Sequence, residues 1–259
     1  MMSWPSRIER WRTFANWESR DIPTDLVLSI IDHESGGVPG EKSQATTKPG
    51  VILTDSGSEI TYNRALGLMQ VIPPNIESWN KHKTPKVTFE DMSGDDEKAV
   101  RLQIRLGSSI FANSLFALHR FDPVEFPARS PGEASSRQLQ LALVAYAIGP
   151  GNPGGQKGLI PKLERLKELK RPLTLEALKA TFPRWGYSEK KQAWINRPLK
   201  AAEKVWADFK KFAVETPVSK PGKLPSRPKE VFNLAWTIPI IISIIVAYIK
   251  RQELRKLLG

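Results

Sequence analysis

The chain has 259 residues, a formal net charge of +12, no cysteine and three histidines. That length can bury one good-sized core and still leave an appendage, and the missing thiols exclude disulfides and cysteine-ligated metal sites. The charge is uneven: residues 1–155 hold 16 Lys and Arg against 18 Asp and Glu, whereas residues 156–230 hold 19 against 8. The basic second half can attract anionic lipid, nucleic acid or an anionic wall polymer, and charge alone does not choose among them.

In residues 1–21, Trp4, Trp11, Phe14 and Trp17 fall at roughly helical spacing. They predict a first helix packed on the domain, and without a continuous apolar run no secretory signal is expected. The next stretch, Ile22 to Gly37, is the most informative. Pro23 with Thr24 or Asp25 supplies a helix start, and Gly36-Gly37 supplies a stop. Between them Val27, Ile30, Ile31 and Glu34 recur at i, i+3, i+4 and i+7, which puts the Glu34 carboxylate on the core-facing side. Desolvation and the negative helix end both raise the pKa of a carboxyl placed there, and a carboxyl kept protonated near neutral pH can act as a general acid. The plain alternative is a helix-end glutamate turned to solvent. His33-Glu34 does not extend to a zinc-protease helix, because Gly37 stands four residues after His33, and no metal or cofactor is expected.

Within the polar segment 38–64, residues 51–54 and 59–62 flank Asp55-Ser56-Gly57-Ser58 and predict a β-hairpin, a candidate wall of a cleft. Gly67-Leu68-Met69-Gln70 reads as a close-approach loop holding Gln70 for hydrogen bonding, followed by a helix from about Pro74 to Trp79 and a surface loop over 81–94. The longest helical pattern runs from about Asp95 to Phe121 and predicts the core helix. A proline-rich loop then leads to a helix over 137–148, with Leu141, Val144, Ala145 and Ile148 as its buried stripe and Tyr146 one turn before Gly149-Pro150-Gly151.

Three motifs in this order, Glu34-Ser35-Gly36, Gly67-Leu68-Met69-Gln70 and Ala145-Tyr146-Ala147-Ile148-Gly149-Pro150-Gly151, resemble the signature of the lytic transglycosylase family with the lysozyme-like SLT domain. Gln103-Ile104-Arg105-Leu106-Gly107 is similar to the family's intervening helix. The resemblance covers 20–155 well and 156–214 loosely, and it extends to virion-associated peptidoglycan-degrading enzymes of bacteriophages. It implies a mainly α, lysozyme-like fold with a small hairpin, and it makes Glu34 the sole catalytic acid and base. It also implies substrate contacts at Ser35, Met69, Gln70 and Tyr146, with the peptidoglycan glycan strand as partner. The implied reaction cleaves between N-acetylmuramic acid and N-acetylglucosamine and closes a 1,6-anhydro ring, with no second carboxylate. This chain departs from the family in Ala147, where Asn usually follows the Tyr, and in a longer stretch between the first two motifs. Two other readings stay open: a muramidase in which Asp55, Glu59 or Asp32 positions a water, and a virion structural protein that binds glycan without cutting it.

The expected organisation is a catalytic domain over 1–155 and a basic helical extension over 156–214, with helices at 158–171 and 190–214 and packing roles for Trp185, Trp194 and Trp206. A stiff Pro/Lys-rich linker follows over 215–230. Residues 231–249 then pass without a charge, and as a helix they would span about 28 Å at ~1.5 Å per residue, close to the ~30 Å of membrane hydrocarbon. They predict a C-terminal transmembrane helix followed by a basic tail, 250–259. With no export signal ahead of it, this layout points to an enzyme packaged in a phage particle, anchored in a virion membrane beside other virion proteins and reaching the periplasmic wall during genome entry; a host-lysis enzyme released when the membrane fails and a bacterial wall-remodelling enzyme exported by an unusual route are the rival readings. For basic 156–230, nucleic acid stays one open partner beside anionic lipid and wall polymer.

Overall fold

A computed structural model of the protein describes residues 3–19, 21–43, 47–183 and 196–213. The chain divides into two units, Met1–Val214 and Glu215–Gly259, and every described residue belongs to the first. The linker, the apolar 231–249 stretch, the basic tail, Trp185 and Trp194 lie outside the described residues. Among those described, no helix is long and apolar enough to cross a membrane.

The N-terminal segment forms two short helices, α1 (Ser6–Glu9) and α2 (Arg12–Glu18), instead of one. The break at Arg10 and Trp11 lets Trp4, Ile8, Trp11 and Ala15 all reach the core. Trp17 does not pack inward: it is 58% exposed, with the Arg101 guanidinium 5.5 Å from its ring centre. Helix α3 (Thr24–Ser35) starts directly after Pro23 and is closed by Gly36 in the left-handed conformation, φ +61°. Strands β1 (Gly50–Leu53) and β2 (Glu59–Tyr62) pair antiparallel with Ile52 opposite Ile60, and Gly57 at φ +81° turns the tip.

Helix α4 (Pro73–His82) has proline in its first turn, where no amide donor is missed. The 81–94 stretch is not all loop. Thr88 accepts a hydrogen bond from the Asp91 amide while the Asp91 carboxylate accepts from the Thr88 amide, and this capping box starts α5 (Phe89–Ser93). Helix α6 (Glu97–Phe121) is capped by Asp96, and α7 (Ser136–Ile148) by Ser135. Beyond it lie α8 (Ile160–Glu168), the two-turn α9 (Leu175–Thr181), which the periodicity does not announce, and α10 (Arg197–Phe212).

Helix α6 is the spine. One side, with Val100, Ile104, Phe111, Leu115 and Leu118, joins a large core shared with the N-terminal tryptophans, α3 and α7 to α10. The other side, with Leu102 and Leu106, joins a smaller core under the hairpin, with Ile52, Leu66, Ile76, Trp79 and Met92. Helix α10 buries Leu199, Ala202, Val205 and Trp206 against α3 and α7, so the basic extension shares the core of the helices that precede it. Glu18, 6% exposed, ties α2 to the spine by accepting from Arg101 at 2.8 Å and Arg105 at 2.7 Å. A side chain is excluded at Gly107, where an added Cβ would stand 2.5 Å from Met69 Sδ. Gly107→Ala should therefore destabilise the fold by about 1–3 kcal/mol, read as a lower thermal unfolding midpoint with unchanged helix content.

Candidate active site

Helix α3 carries Glu34 in its last turn, one turn beyond the buried residues Ile30 and Ile31. The glycines that follow are clamped by the N-terminal helices. Arg7 Nε donates to the Gly36 carbonyl at 3.1 Å, and both Arg10 and the Trp11 indole donate to the Gly37 carbonyl at 3.0 Å. A Cβ at Gly37 would meet Ile8 at 2.7 Å and the Arg7 carbonyl at 2.8 Å, so the turn has no room for a side chain. The helix end that presents Glu34 is thereby fixed from outside.

Glu34 is half-buried, and its carboxyl accepts no hydrogen bond and pairs with no cation among the described residues. Burial alone pushes its pKa up to about 7. Burial also pushes the neighbouring His33 below the usual histidine range, and Lys204 and Arg197 add to that against Asp208 and Asp32. At neutral pH the imidazole thus puts no positive charge beside Glu34 that would draw out its proton.

The second motif forms a tight turn. The amides of Leu66 and Val71 donate to each other's carbonyls at 3.0 and 2.9 Å, with Gly67 at φ +78° and Gln70 at φ +47° between them. Gln103 of α6 is fully buried behind it. Its Oε1 accepts from the Leu68 amide at 3.0 Å and its Nε2 donates to the Gly94 carbonyl at 2.9 Å, while the Cα of Gly67 packs directly on its side chain. Gln70 Nε2 donates to the Glu41 and Gly67 carbonyls, which leaves its carboxamide oxygen without a protein partner among the described residues. From α7, the Tyr146 hydroxyl donates to the Met69 carbonyl at 2.6 Å. Burial, and then the nearby Glu34 charge, hold that phenol well above its ordinary pKa, so it stays a neutral donor.

These elements enclose a cleft of about 750 Å³. Glu34, Gln70 and Tyr146 line it together, with His33, Ala147 and, from α10, Arg197. Two other sequence-derived site residues lie elsewhere. The Met69 side chain is fully buried against Gly107, so Met69 serves through its carbonyl. Ser35 Oγ donates to the Ile31 carbonyl and accepts from the Gly37 amide, which makes it a helix-end cap. The hairpin strands do not line the cleft either; Ser43, Thr47 and Ala65, which flank the hairpin, do. The sequence reading assigns no positioning role to Arg7, Trp11 or Gln103. Gln103 stands in the family-like stretch Gln103–Gly107, and a lone Gln on the apolar face of the α6 pattern is a second signal for it.

Glu34 is the only carboxyl group among the described residues that line the cleft. Asp32 accepts from Arg7 at 2.9 Å, Asp55 is engaged with Thr88 at the exposed hairpin tip, and Glu59 is exposed. No cluster of His, Asp and Glu among the described residues is arranged to hold a metal ion. The arrangement offers one neutral carboxyl that can give a proton and take one back, beside hydrogen-bonding groups fixed on rigid backbone.

The pKa carries a stability consequence. The folded value lies above the unfolded value of about 4.5, so the contribution of Glu34 is fully present below that pH and is lost as pH rises through about 7. Glu34→Gln should therefore be more stable than the parent at pH 8, by on the order of 2–3 kcal/mol, and the gap should close by pH 4. Thermal unfolding of both proteins at the two pH values measures it.

The model of the transglycosylase SLT domain family matches residues 13–165. No match is found among curated proteins or among solved structures. The family match covers more than half of the chain and takes in Glu34, the Gly67–Gln70 turn, Gln103 and Tyr146. The chain belongs to the transglycosylase SLT family, as a peptidoglycan-degrading enzyme of the lytic transglycosylase type.

Proposed function

We propose that the protein cleaves the β-1,4 bond between N-acetylmuramic acid and N-acetylglucosamine and releases 1,6-anhydro-muramoyl products. The observation that carries this reading is that Glu34 is the single carboxyl among the described residues that line the cleft. Hydrolytic glycosidases work with two carboxyls, about 5–5.5 Å apart when retaining and about 6.5–9.5 Å apart when inverting, and no second one stands among the described lining residues. Neutral Glu34 gives its proton to the glycosidic oxygen as the bond to the muramoyl C1 breaks. The carboxylate so formed takes the proton of the muramoyl 6-hydroxyl, whose oxygen bonds to C1. Each atom is accounted for without water, and Glu34 ends protonated for the next turnover. A tuned proton donor of this kind contributes about 10²–10⁴ in rate.

In the same reading the enzyme is a bacteriophage protein, membrane-anchored through 231–249 in the virion, opening the wall locally during genome entry. What supports this is the sequence pattern: a charge-free stretch of membrane-spanning length behind a proline-rich basic linker, on a chain whose enzyme domain acts on a periplasmic polymer.

The full-length chain incubated with isolated peptidoglycan should release muropeptides one water lighter than hydrolytic products, by mass spectrometry, and Glu34→Gln should release none. Hydrated products would show a muramidase, and binding without products would show a glycan-binding structural protein.

A further inference from the structure

The chemistry proposed above uses Glu34 and leaves its neighbour His33 without a task, although both line the cleft. Successive residues on a helix point about 100° apart. From the last turn of α3 the two side chains therefore address adjacent parts of whatever lies in the cleft.

The imidazole is half-buried, and neither ring nitrogen has a hydrogen-bond partner among the described residues. The two nitrogens are not equivalent. Nδ1 is sealed inside the protein, so it meets neither water nor ligand. Nε2 is not sealed, and it is the polar atom that His33 brings to the cleft. The charged groups near the ring are Lys204, Asp208 and Arg197 of α10 and Asp32 of its own helix; burial outweighs each of them, and the ring is neutral at neutral pH.

A neutral imidazole carries one N–H and one bare nitrogen. A buried N–H without an acceptor is the costlier orphan, which assigns the proton to Nε2 and leaves Nδ1 bare. His33 is thus a donor of fixed tautomer on the same helix turn as Glu34. The unpartnered Nδ1 is itself a cost to the fold, which an apolar side chain of similar size would avoid. A residue that costs stability where it stands, and that offers the cleft one uncharged donor, has the marks of a ligand contact.

We propose that His33 binds substrate: its Nε2–H donates to an uncharged oxygen of the sugar next to Glu34 and so sets that sugar's position against the carboxyl. The proposal rests on the glycan strand occupying the main cleft. The N–H of a neutral ring suits such an oxygen without needing a charged partner, so the contact reads the sugar itself and not its charged substituents.

The test uses the full-length Glu34→Gln chain, which binds without turnover, with soluble peptidoglycan strands as the probe. His33→Leu in that background should weaken binding about 10-fold, the worth of one hydrogen bond between uncharged groups. His33→Gln, whose amide nitrogen can take the place of Nε2, should keep affinity within about 3-fold of the parent. Thermal unfolding separates this from a structural role: His33→Leu should unfold no lower than its parent, because it loses the orphaned Nδ1. Unchanged affinity in His33→Leu, a Gln variant as weak as the Leu variant, or a loss of affinity that comes with a lower unfolding midpoint would overturn the proposal. Because the readout is binding, hydrated or absent products from the Glu34 enzyme would overturn the catalytic reading without altering this result.

Discussion

A carboxyl group held half-buried and without a hydrogen bond is the feature on which the rest of the structure depends. Folding proteins rarely leave such a group unsatisfied, because the penalty falls on the ionised form and shows as a raised pKa. Here the penalty is useful. It keeps a proton on Glu34 at about neutral pH, where the ordinary glutamate has lost it. The surrounding groups are arranged to leave that state alone: His33 is held neutral, and Tyr146 donates to the Met69 carbonyl. A hydroxyl donating directly to Glu34 would instead have stabilised the carboxylate and lowered the pKa.

Holding one proton in place requires rigid backbone, and the fold supplies it by linking distant segments to the same few carbonyls. The N-terminal helices clamp the Gly36-Gly37 turn behind Glu34. Helix α6 clamps the Gly67–Gln70 turn through Gln103 and excludes any shift of Met69 by close approach at Gly107. Helix α10 packs on α3 and α7 and brings Arg197 to the cleft, so the basic half contributes a wall of the site. The cleft is thus held in shape by Arg7, Trp11 and Gln103, which stand outside its lining.

Much of this was legible in the sequence, for physical reasons that differ by element. Helix α3 announced itself because a start, a stop and a helical apolar period coincide within 16 residues, and Glu34 stood out as an acid on an apolar stripe. The hairpin, α6 and α7 followed from pattern length and turn chemistry. The roles of Met69 and Ser35 were not legible as such. Sequence reports a side chain, but Met69 acts through its carbonyl and Ser35 through a local cap, and both depend on backbone geometry. Helix α5 is only five residues long and rests on the Thr88–Asp91 capping box inside a charged stretch that otherwise reads as loop. The clamps from Arg7 and Trp11 reach across 26 or more residues, and a single sequence carries no mark of them.

The most direct test of the account is the titration of Glu34 itself, followed by NMR of the side-chain carboxyl carbon in the full-length chain, with Glu34→Gln to assign the signal. A midpoint near pH 7 would establish that burial alone keeps the carboxyl protonated where it must act as an acid. A midpoint in the ordinary glutamate range, about 4.3, would contradict the account, because Glu34 would then be an ionised, solvated group and the proton for the leaving oxygen would have to come from elsewhere.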